Sequence, residues 1–185
     1  YTESQEDEDL KKLKNSFLTG ASRLEELNII IKDLRQEIDA ISDEVLNTVG
    51  LKGIDYTVVF SGSSFYGPKN RDFAPESDID LFFIIPDEEL DYIEPRYKIF
   101  TMGRQIQDRK IEIFFSGQTV PHTSTPIHVL AWPHYVLKST ISTEELIEIK
   151  KKVVQNEIDN LDYLKKEVFS RESLYQRKKQ ETFGK

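Results

Sequence analysis

The chain has 185 residues, 38% of them hydrophobic, which suits one domain with helical additions and a core that needs no cross-links. It contains no cysteine, so disulfides, thiolate catalysis and cysteine-ligated zinc are excluded, and its net charge of −8 opposes any overall attraction to nucleic acid. No apolar run approaches the roughly 20 residues that span a bilayer. The stretch from Glu3 to Asp9 is acidic, unlike the basic start of a signal peptide, so a cytoplasmic location without membrane contact is expected.

The first region, residues 1–49, reads as helical. Leu24, Leu27, Ile31, Leu34, Ile38, Ile41 and Val45 recur at alternating spacings of three and four, which makes one apolar stripe. The stripe is expected to pack on the domain itself, with homo-oligomer formation through the helices as the other use of such a heptad. Leu10, Leu13 and Phe17 form a shorter stripe before Gly20-Ala21-Ser22, where Ser22 is a candidate N-cap.

The second region, residues 50–135, reads as strands. Tyr56 to Phe60 is β-branched and aromatic and runs into the Gly/Ser turn Ser61-Gly62-Ser63-Ser64. Ile79 to Ile85 is a second strand, stopped by Pro86-Asp87. Tyr97 to Met102 and Gln105 to Phe115 are expected as a third and a fourth, with Gly103-Arg104 as their turn, and Ile127 to Ala131 as a fifth.

The third region, residues 136–185, opens its helix at Ser142-Thr143-Glu144-Glu145, a capping residue with acids in the first turn. Leu146, Ile149, Val153, Val154, Ile158, Leu161 and Val168 are expected to form its apolar face. Residues 150–185 hold ten Lys/Arg against six Asp/Glu, read as a solvated helix face in preference to an RNA-binding surface.

Chemistry concentrates in the middle region. On a strand Asp78 and Asp80 share one face while Ile79 and Leu81 enter the core. Adjacent carboxylates repel, and a divalent cation with hard oxygen ligands relieves them. Asp-x-Asp alone is common on solvated strands. Here a strand delivering Gly62-Ser63 precedes it, where glycine lets backbone N–H groups approach a phosphate. A third carboxylate is then needed to hold two ions and activate an attacking hydroxyl. Glu112, alternating with buried Ile111 and Ile113, is the leading candidate, and Asp108 the other.

Phe60-Ser61-Gly62-Ser63 through Pro75-Glu76-Ser77-Asp78-Ile79-Asp80-Leu81 resembles the signature of the polymerase-β-like nucleotidyltransferase superfamily. The resemblance covers roughly residues 54–115, with a loop between Ser63 and Asp78 longer than usual. It implies an α/β (α+β) fold, a small mixed β-sheet flanked by long N- and C-terminal helices. It further implies Gly62 and Ser63 on the triphosphate, and Asp78, Asp80 and Glu112 as metal ligands for two Mg²⁺ ions, with Mn²⁺ as a substitute. The expected reaction is NMP transfer from an NTP, ATP favoured, to an acceptor hydroxyl, releasing pyrophosphate. No appended RNA-binding module is visible, so a protein or small-molecule acceptor is favoured over nucleic acid. The competing expectation is an inactive nucleotidyltransferase-like module that binds partners through its helical flanks.

His122, His128 and His134 are spaced by six, which fits neither a helical pair nor a zinc motif, and they are expected to be surface or satisfied core groups. Phe65-Tyr66 would line the nucleotide pocket or anchor the loop, and Trp132 would pack at a strand end.

Overall fold

The computed structural model describes residues 24–62, 78–122, 128–131 and 134–160, with side chains from residue 27 onward. Seven main elements follow in chain order. They are helix α1 (Leu24–Val49), strands β1 (Thr57–Ser61), β2 (Ile79–Ile85), β3 (Ile99–Ile106), β4 (Arg109–Gly117) and β5 (Tyr135–Ser139), and helix α2 (Thr143–Asp159). The architecture is mixed α/β, with a five-stranded sheet in the order β3-β4-β2-β1-β5. β2 and β4 run parallel at its centre, and every other neighbouring pair is antiparallel.

α1 forms because its apolar residues fall on one stripe. Leu27, Ile31, Leu34, Ile38, Ile41 and Val45 are all buried, in one core cluster with Val58, Phe60, Ile79, Leu81, Phe83, Ile111, Ile113 and Phe115. The helix stops where Gly50 takes φ +74. Gly50 N–H then donates to Asn47 O at 3.3 Å and Leu51 N–H to Leu46 O at 3.0 Å, closing the last turn in a Schellman arrangement. The two edge strands fasten the helix from both sides. Arg104 on β3 pairs with Glu37 at 3.0 Å and Glu44 at 3.4 Å, and Lys138 on β5 pairs with Asp39 at 2.6 Å.

The opposite face of the sheet carries a smaller core of Val59, Phe82, Ile84, Val129, Leu130 and Val153, so α2 and a short 3-10 turn at Val129–Ala131 cover it. Ser142 caps α2, its Oγ accepting from Glu145 N–H at 3.2 Å. Only part of the expected apolar face of α2 is inward: Leu146 and Val153 are buried, but Val154 and Ile158 are exposed. At about 100° per residue, positions 146, 149, 153 and 157 share a face from which 154 and 158 are rotated away. Leu161 and Val168 lie outside the described residues, as do Ser22 and the stripe before it.

Two strand expectations are corrected. The third-to-fourth strand turn is Gln107-Asp108, both at positive φ (50° and 59°), between paired Ile106 and Arg109, and not Gly103-Arg104. That is the two-residue hairpin geometry whose twist matches its strands. Gly103 lies instead where the β3–β4 register shifts, between Thr101 and Gln105. The segment expected as a fifth strand folds, at Val129–Ala131, into the 3-10 turn, and the fifth strand is Tyr135–Ser139 on the edge beside β1. Tyr97 also belongs to a 3-10 turn (Pro95–Tyr97), so β3 begins at Ile99. Among the described residues no helix is long and apolar enough to cross a membrane.

Candidate active site

Strand alternation builds the site. Ile79 and Leu81 of β2, like Ile111 and Ile113 of β4, enter the α1-side core, which turns Asp80 and Glu112 to the other face. Because β2 and β4 are parallel and in register, Asp80 pairs directly with Glu112. Across the antiparallel neighbours, Ser61 of β1 pairs with Asp80 and Thr101 of β3 pairs with Glu112. Four strands thus place one polar row, Ser61-Asp80-Glu112-Thr101, at one end of the sheet. One step further along the same face the row turns apolar: Phe82 and Phe114 stack with ring centroids 4.7 Å apart, and His122 lies 5.2 Å from each.

Gly62 closes the row beside β1. It takes φ +94, and a Cβ built there would stand 2.2 Å from Asp80 Oδ2. Glycine is therefore required twice, by the left-handed backbone and by the approach of the Asp80 carboxylate to its Cα. Ser63 lies outside the described residues, as do Phe65, Tyr66, Lys69 and Arg71 of the loop that follows.

The electrostatics of the acids are unfavourable as they stand. Asp80 is raised to about 7, first by burial and then by the neighbouring carboxylates of Glu112 and Asp78. Glu112 is also raised, by burial and then by Asp78. Asp78 thus lies close enough to act on both, although it precedes the first residue of β2. Among the described residues, no Lys or Arg forms an ion pair with any of the three. No three His, Asp or Glu among the described residues form a ready-made metal cage. The donor set still suits a hard divalent cation: oxygen ligands only, partly desolvated, mutually repelling and, among the described residues, without a cationic partner.

Of the residues expected in the site, Gly62, Asp78, Asp80 and Glu112 converge here. Asp108 does not, being held in the hairpin turn beyond Arg109. Ser61 and Thr101 are additions to the row. Ser61 was readable from alternation with Val59, whereas Thr101 required the β3–β4 register, which the misplaced turn concealed.

Two histidines are core groups. His122 is buried, and that burial lowers it to about 4, with His128 contributing, so its ring is neutral at physiological pH. His128 Nε2–H donates to Gly117 O at 2.7 Å while Nδ1 accepts from Leu130 N–H at 3.1 Å, which fixes a neutral tautomer. No protein-family model, curated protein or solved structure matches the chain.

Proposed function

We propose that the protein is a Mg²⁺-dependent nucleotidyltransferase, moving an NMP from an NTP to an acceptor hydroxyl, on a sheet of the nucleotidyltransferase type. One observation carries the reading: the in-register pairing of Asp80 with Glu112, beside a glycine whose Cα faces the Asp80 carboxylate. An isolated Asp-x-Asp would be a solvated strand face. A third acid brought alongside by a parallel strand, with burial that penalises the charge of Asp80 and Glu112, calls for a cation.

In this reading Asp78, Asp80 and Glu112 hold Mg²⁺, or Mn²⁺ in its place. Bound there, the ions would offset negative charge building on the nucleotide phosphates. The Gly62-Ser63 turn supplies backbone N–H groups to the triphosphate, ATP being the favoured donor. The acceptor oxygen bonds to the α-phosphorus, the bond to the bridging oxygen breaks, and pyrophosphate leaves. Glu112, half-buried beside Asp80, takes the proton of the acceptor hydroxyl. A protein or small molecule is the favoured acceptor, given the chain's net charge of −8.

The test is transfer of label from α-³²P-ATP to components of a lysate, with Mg²⁺, comparing the wild type with Asp78→Ala/Asp80→Ala. Label that requires the two aspartates supports the reading. Equal labelling by the variant, or no labelling with any of the four NTPs, contradicts it, and the latter favours a binding module with a dead site.

A further inference from the structure

Across the sheet from the carboxylate row, α1 and the start of β5 enclose an open groove of about 360 Å³ lined by Asn28, Ile31, Lys32, Arg35, Gln36 and Tyr135. Its chemistry is opposite to that of the acidic row. Lys32 and Arg35 stand one helical turn apart, and the Arg35 guanidinium lies 5.0 Å over the Tyr135 ring, an arrangement that restrains it without neutralising it. Among the described residues neither cation makes an ion pair, so both are available to a ligand. In a chain of net charge −8, the groove gathers two positive charges against one small concave surface. Asn28 and Gln36 add amide donors along the rim, and Ile31 supplies an apolar floor, being buried.

We propose that this groove is a binding site for a small phosphate-bearing molecule, separate from the carboxylate row. A phosphate dianion matches the two positive charges. Its several acceptor oxygens suit a planar guanidinium fork, a mobile ammonium and flanking amides at the same time. The groove volume is that of a small-ligand site and not of a protein interface. Its position favours communication with the acidic row: Tyr135 pairs with Phe60, two residues before Gly62. The site does not depend on nucleotidyl transfer, and it binds without metal.

Calorimetric titration of the full chain with pyrophosphate, ATP and citrate, in EDTA, tests this. EDTA removes binding at the acidic row, where bare carboxylates repel polyanions. The expected result is saturable binding of pyrophosphate and ATP, weakened about tenfold or more by Lys32→Gln/Arg35→Gln, which corresponds to at least about 1.4 kcal/mol. Lys151→Gln/Lys152→Gln removes two exposed cations elsewhere and should leave binding unchanged. All four positions are exposed, and equal melting temperatures for the variants verify folding. No binding at millimolar ligand, or equal loss in both double variants, overturns the proposal. Citrate binding as tightly as pyrophosphate overturns the assignment to phosphate.

Discussion

At the scale of single residues, Gly62 and Asp80 define each other. The glycine is left-handed and has no room for a methyl group, because the Asp80 carboxylate occupies that space. Gly62→Ala should therefore cost about 1–3 kcal/mol by chemical denaturation, combining backbone strain with a displaced acid. Asp80 itself makes the apo protein pH-dependent. Its folded value of about 7 lies above the ordinary 3.8, so the folded form binds the proton more tightly than the unfolded chain does. Its contribution is fully favourable below pH 3.8 and is lost as pH rises through 7. Asp80→Asn should stabilise the apo protein at pH 8 by on the order of a few kcal/mol, read as a higher melting temperature, with little effect near pH 4. Added Mg²⁺ should stabilise the wild type at pH 8 and not the variant. A variant less stable than the wild type at pH 8 would contradict this account of the acid.

At the scale of elements, the helices and central strands were readable because a single periodicity dominates each. The α1 stripe buries the residues that spacing singled out, and Ile79–Ile85 is too continuously apolar to be anything but a central strand. β5 was not readable: Tyr135–Ser139 is half-buried along its length, as an edge strand is, and no alternation marks it. The apolar run expected in its place, before it in the chain, packs as a 3-10 turn under α2. The β3–β4 turn was misread because glycine draws attention to itself. Gly103 serves a register shift, whereas the turn is made by Gln107, a residue type that rarely turns left-handed, with Asp108, which does so more readily. Replacing them with Asn-Gly, which relaxes both positions, should stabilise the protein by roughly 0.5–1 kcal/mol in thermal or urea unfolding. Unchanged or reduced stability would argue against the hairpin geometry.

At the scale of the whole molecule, the sheet separates two kinds of charge. On one face the row from Ser61 to Thr101 concentrates acids, and on the other the groove beside α1 holds the cations Lys32 and Arg35. The acids of the site were legible in the sequence because alternation places a carboxylate on a face without knowledge of any partner strand. Their convergence was not legible, since pairing Asp80 with Glu112 depends on a parallel register between strands that are not consecutive. That register gives the most direct test, because under the proposed function it makes Glu112 as necessary as the aspartates. Transfer of labelled NMP from ATP, measured with Mg²⁺ for the wild type, Asp80→Asn and Glu112→Gln, should fall by roughly a hundredfold or more in each variant, with both folded. Glu112→Gln transferring at the wild-type rate, while Asp80→Asn does not, would contradict the shared site on which the account rests.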